Sequence, residues 1–98
     1  KELKNCLFAT DENNVNTTDL LTRKSGSAAL DMAYVASGRF DGYFQKNLNI
    51  WDIASGIIII KEAGGLINDI DLSKKSEIDV IASSFAINEK MQEKLGNF

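Results

Sequence analysis

Fourteen Asp or Glu and eleven Lys or Arg stand in a chain of 98 residues with no His and one Cys. That inventory sets the available chemistry. Without His there is no Ser-His-Asp triad, no Cys-His pair and no His-ligated zinc site within this chain. Cys6 alone makes neither an internal disulfide nor a Cys-rich metal cluster. What is left is carboxylates, hydroxyls, Lys, Arg and backbone amides. Carboxylates favour hard cations such as magnesium or calcium.

Trp51-Asp52 is the sharpest single feature. A carboxylate at a helix start gains from the helix dipole, and beside a large aromatic it makes a good hard-metal ligand. On the residues alone, an ordinary N-cap with Trp51 anchoring the core is the favoured reading of the pair. Ser25-Gly26-Ser27-Ala28-Ala29 is the second candidate. A glycine before a buried, Ala-rich helix leaves amide N–H groups pointing outward, which suits an anion or a substrate hydroxyl. A close-packed helix start capped by Ser25 or Ser27 explains the same residues. The acidic stretches beginning at Asp11 and Asp69 lack the glycine and terminal Glu of an EF-hand and read as solvated loops. Gly64-Gly65 reads as a helix stop rather than a phosphate loop.

These residues need elements to position them. Leu7 to Thr10 reads as a buried strand and Asp11 to Thr18 as a polar loop, with Asp19 to Lys24 as a connection. Ala28 to Ala36 is a helix, mostly buried, with Gly38 as its C-terminal glycine. Phe40 to Gln45 is a strand and Lys46 to Ile50 a loop. Four consecutive isoleucines, 57–60, look strand-like. However, Ile53, Ile57 and Ile60 share one helical face, so Asp52 to Ala63 is expected to be a helix. Leu66 to Ile70 and Asp79 to Ala82 are strands separated by a charged loop. A last helix follows Ser84, with Ile87, Met91 and Leu95 as its apolar stripe. This order predicts α/β layers, a sheet flanked by helices.

A formal net charge of −3 argues against a dedicated nucleic-acid binder. No apolar run is long enough to span a bilayer, and no signal-peptide region opens the chain. A cytoplasmic protein is the expectation.

Four motifs follow one another: Gly-Ser-Ala-Ala at 26–29, Gly-Arg-x-Asp-Gly-Tyr at 38–43, Trp-Asp-x-Ala-x-Gly at 51–56 and Glu-Ala-Gly-Gly at 62–65. Together they resemble the C-terminal half of the inositol monophosphatase family. These are magnesium-dependent, lithium-sensitive enzymes of the sugar-phosphatase superfamily. The resemblance implies the C-terminal α/β subdomain of the inositol monophosphatase/fructose bisphosphatase-like fold across residues 1–98. It implies that Asp52 ligates a magnesium ion and meets substrate, and that Gly26, Ser27 and Ala28 line the substrate pocket. A pocket Glu of the family aligns with Gln45, which keeps an acceptor but loses the charge. Arg23 matches a family arginine that helps order the pocket.

The family's remaining ligands lie in an N-terminal half carrying an Asp-Pro-[aliphatic]-Asp-Gly-Thr motif. This chain has no proline, so that motif is absent. The expectation is a part of a magnesium-dependent phosphatase acting on inositol monophosphate or a related sugar phosphate monoester. Alone, the chain is expected to be inactive and to expose apolar faces that the other half would cover. The whole protein is expected to be a homodimer without nucleic-acid or membrane partners. The alternative is a truncated relative serving as a non-catalytic binding or dimerisation module. Nucleotide bisphosphate and histidinol phosphate are alternative substrates.

Overall fold

The computed structural model describes residues 2–11, 20–23 and 25–95. Five strands form one sheet: β1 (Leu7–Ala9), β2 (Leu21–Arg23), β3 (Gly42–Leu48), β4 (Leu66–Ile67) and β5 (Ile78–Ser83). Three helices, α1 (Ala28–Ala36), α2 (Ile50–Glu62) and α3 (Asn88–Leu95), cover it. The strand order is β2-β1-β3-β5-β4. β1 runs parallel to both β2 and β3, while β5 is antiparallel to β3 and β4. β2-α1-β3 and β3-α2-β4 are therefore successive crossovers in the same direction. The right-handed rule sends both helices to one face of the sheet.

The burial pattern obeys that rule. Ala9, Tyr43, Ile78, Val80 and Ala82 pack with Met32 and Val35 of α1 and Ile53, Ile57 and Ile60 of α2. The alternate residues Phe8, Phe44 and Ile81 pack with Ile87, Met91 and Leu95. Side chains alternate across a strand, so a run such as Val80-Ile81-Ala82 feeds both cores. The result is an α/β layered sheet with helices on both sides, as the alternation of elements predicts.

The Asp-Gly-Tyr corner before β3 is a structural tie. Asp41 accepts the Leu7 amide through Oδ2 at 2.8 Å and donates its own amide to the Leu7 carbonyl at 2.8 Å. Both long helices end in a Schellman arrangement. Gly64 donates to the Lys61 carbonyl and Gly65 to the Ile60 carbonyl, with Gly64 at φ +83°. At α1 the donors are Gly38 and Arg39, to Val35 and Tyr34. The glycine pair is thus the helix stop expected of it.

Several boundaries differ from the sequence reading. Leu21–Arg23 pairs with β1 as a strand. Three residues inside a polar stretch carry too little periodicity to reveal one. β3 runs on through residues 46–48, taken as loop, because its register shifts between Gln45 and Leu48 and interrupts the alternation. Asn47 takes a left-handed φ of 63° there, and its amide donates to Asp79 Oδ1. α2 begins at Ile50, not Asp52. Trp51 is not a core anchor: it is 84% exposed. α1 buries only Asp31, Met32 and Val35. The loop read over residues 11–18 lies outside the described residues except at Asp11.

Candidate functional site

The carboxyl ends of parallel strands are where α/β sheets leave room for ligands. Here β1 delivers Asp11, β3 delivers Gln45 and Leu48, and the starts of α1 and α2 face the same space. Together they line a cavity of about 380 Å³ that takes in Asp11, Gly26, Ser27, Ala28, Asp31, Gln45 and Asp52. All five residues proposed from sequence as pocket residues, Gly26, Ser27, Ala28, Gln45 and Asp52, are lining residues of this one cavity. Arg23 is not: its guanidinium turns to the carbonyl of Thr22 at 2.9 Å.

Gly26 reaches the α1 start with φ +83°, a conformation that a side chain would strain. Ser27 is the N-cap, and its hydroxyl accepts the Leu30 amide at 3.2 Å. The Ser27 amide donates to the Ser25 hydroxyl at 3.1 Å. The Ser27 hydroxyl therefore does the work of a cap. The amides of Ala28 and Ala29 have no hydrogen-bond partner among the described residues. They are left for the cavity.

Gln45 is oriented from outside its own strand. Its Oε1 accepts the Asp11 amide at 2.8 Å. That contact fixes which end of the side-chain amide is oxygen, because only the oxygen accepts. The irregularity after Gln45 re-aims the strand beside the start of α2, a common use of such bulges.

Asp52 sits exposed in the first turn of α2, with its amide bonded to the Asn49 carbonyl at 3.0 Å. Its oxygens are the hard donors that magnesium takes. Among the described residues no three His, Cys, Asp or Glu stand close enough together to hold an ion. Asp52 thus fits as one ligand, and the described part of the chain does not complete a centre.

Asp31 is not among the candidates named from the sequence. It is 4% exposed, and its Oδ1 has no hydrogen-bond partner among the described residues. Burial pushes its carboxyl above the ordinary range. A hydrogen bond with Ser25 opposes the rise, and the charge of Asp11 adds to it. A signal was available: residues 28, 31, 32 and 35 share one helical face. An acid on that face has to be buried. A folded-state pKa raised above the unfolded value means that ionisation weakens the fold. The Asp31→Asn variant should therefore melt a few degrees above the parent at pH 7. That gain should vanish as pH falls through the raised value to below about 4. Thermal melts across this range read both.

With the geometry described, comparison with known proteins is informative. Residues 2–97 match the model of the inositol monophosphatase family. An inositol-1-monophosphatase of Caulobacter vibrioides is 41% identical over 76 residues, 74% of this chain and 30% of that protein. A protein named Nus factor SuhB from Haemophilus influenzae is 59% identical over 49 residues, 50% of this chain and 18% of that protein. The solved inositol monophosphatase from Anabaena superposes with a TM-score of 0.84 at 30% identity, covering 98% of this chain and 47% of that one. The chain thus spans less than half the length of these relatives.

Proposed function

The chain belongs to the inositol monophosphatase family, whose fold and relatives are those of phosphatase-like hydrolases, and we propose on that premise that it supplies one wall of a magnesium-dependent phosphomonoester hydrolase site. The substrate is inositol monophosphate or a related sugar phosphate. The observation that carries this reading is the convergence of Asp52, Gln45 and the Gly26–Ala28 helix start on one cavity.

Each residue has a definable task. Asp52 would ligate a magnesium ion that, when bound, neutralises phosphate charge and lowers the pKa of water. The open amides of Ala28 and Ala29 hold an oxygen of the alcohol side in a fixed direction. Gln45, held by Asp11, presents a neutral side chain where the family has a Glu, which shifts preference among sugar alcohols. The exposed indole of Trp51 stands at the rim of the cavity. The remaining ligands and the water-activating group come from outside these 98 residues, and the chain alone is inactive. Homodimerisation of the whole protein and a cytoplasmic location belong to the same proposal. Among the described residues no helix is long and apolar enough to cross a membrane.

The test is magnesium-dependent phosphate release by the polypeptide that carries this chain together with the family's other half. Asp52→Asn should lower the rate on the order of 100-fold, as expected when one oriented electrostatic group is lost. An unchanged rate would remove Asp52 from the site.

The second reading is a non-catalytic binding or dimerisation module. It is favoured by Gln45, a neutral side chain where the family carries a Glu, and by the lack of the Asp-Pro-[aliphatic]-Asp-Gly-Thr motif in this sequence. Calorimetry of this chain with magnesium tests a premise that both readings share. A single carboxylate holds the ion weakly, and tight binding by the chain alone would contradict both the partial-centre assignment and the module.

A further inference from the structure

We propose that Gln45 meets the bound molecule as a hydrogen-bond donor, its Nε2 selecting a neutral oxygen acceptor that needs no hydrogen of its own, a carbonyl above all, on the part of the substrate seated at the end of β3. The inference rests on the reading of this cavity as a substrate site and names the kind of group that the site takes there.

The first support is the orientation of the side-chain amide. Oε1 accepts the Asp11 amide at 2.8 Å. A backbone N–H only donates, so the flipped arrangement would set donor against donor. The second is access. Nε2 has no hydrogen-bond partner among the described residues, and it is not one of their buried unpartnered atoms. Gln45 is half-buried and lines the cavity. Its two side-chain N–H groups are therefore open to a molecule held there.

The third support is the charge of the lining. The carboxylates of Asp11 and Asp52 border the cavity, and among the described residues no Lys or Arg lines it. An anionic acceptor beside Gln45 would meet like charge with no cationic side chain to offset it, whereas a carbonyl carries no charge to be repelled. Compared with a carboxylate at this position, the requirement is reversed. A Glu side chain would only accept, and would demand a hydrogen on the substrate oxygen. Gln45 donates, so a hydroxyl is admitted but not required. Replacing that hydroxyl by a ketone keeps the match to Gln45 and sets lone pair against lone pair with a Glu. Sites discriminate strongly where a polar group is left unpaired in this way.

The test is a titration of the 98-residue chain with scyllo-inosose, a ring ketone, and in parallel with myo-inositol, its hydroxyl counterpart. The Gln45 side-chain amide gives its own pair of proton–nitrogen signals. The ketone should move them saturably in the millimolar range. Gln45→Glu keeps an oxygen for the Asp11 amide and replaces only the NH2 group. It should weaken ketone binding about tenfold, the cost of an acceptor facing an acceptor, and change myo-inositol binding by less than about threefold. Gln45→Met has similar length with neither donor nor acceptor, and should lose ketone binding as well. Binding to both variants is read at the Asp11 backbone amide, and a dispersed spectrum establishes that each is folded. Side-chain signals unmoved by the ketone would overturn the proposal, as would ketone binding as tight in either folded variant as in the parent. Ketone binding that depends on Gln45, found with hydrolysis indifferent to Asp52→Asn in the complete polypeptide, would sink the metal role of Asp52 and leave this proposal standing. Hydrolysis that needs Asp52, found with ketone binding indifferent to Gln45, would do the reverse.

Discussion

Substituting Gly56 by Val should cost the fold about 3 kcal/mol, at the upper end of overpacking penalties, and lower the melting temperature by roughly 15 °C. Gly56 lies in α2 where it crosses α1. A Cβ built there would stand 2.6 Å from Met32 Sδ and 2.9 Å from Met32 Cβ. The sulfur can swing aside, but the Met32 Cβ is fixed to α1. The helices must therefore separate, which also loosens Ile53, Ile57 and Ile60 over the sheet. The smaller change Gly56→Ala is more instructive, because two effects oppose each other. Helix propensity favours Ala by about 1 kcal/mol, and the clash acts against it. Trimming the neighbour isolates its share of the clash. In a Met32→Ala background the Sδ contact is gone and the Cβ contact remains, so Gly56→Ala should stay destabilising but by less. A four-variant denaturation cycle measures that coupling, and additive effects would show that the helices do not meet at this pair.

The other large effect lies on the opposite side of the sheet. Phe44 is fully buried, with its ring tilted 59° to that of Phe8 and the centroids 6.2 Å apart. Phe44→Ala should cost about 3–5 kcal/mol, the usual range for a truncated core aromatic. A domain of this size has a total stability of about 5–15 kcal/mol, so the variant should lose a large share of it. Phe85→Ala is the matched control. Phe85 is largely exposed, and its removal should be near neutral. Equal losses from the two variants in urea titrations would mean that α3 does not seal this face.

How much of this was legible in the sequence depends on the length of the signal. The run from Ala28 to Ala36 is α1 to the residue, because a serine cap, an alanine-rich interior and a C-terminal glycine all agree. The isoleucine run 57–60 was resolved correctly as helix because Ile53, Ile57 and Ile60 keep helical spacing, and all three are buried. Ile87, just before α3, and Met91 and Leu95 within it form one buried stripe for the same reason. Short strands were poorly legible. β2 has three residues and β4 two, and partners fix them more than their own composition does. At the site, motif residues were legible and unnamed neighbours were not. Asp11 reaches Gln45 over 34 positions through a backbone amide, which no spacing rule encodes. Asp31 was visible as an acid within an apolar helix. What its burial would leave unpaired required the neighbours to be placed.

Trp51 is the only tryptophan of the chain, and it stands exposed at the rim of the cavity beside Asp52. The protein's indole fluorescence therefore comes from one position at the mouth of the proposed site. Its emission is expected at the long wavelengths of a ring in water, since Trp51 is largely exposed. Anything that covers that mouth, whether a ligand, a second copy or the other half of the fold, shifts the colour of the whole molecule. The residue that does least for the core thus makes the chain its own optical probe.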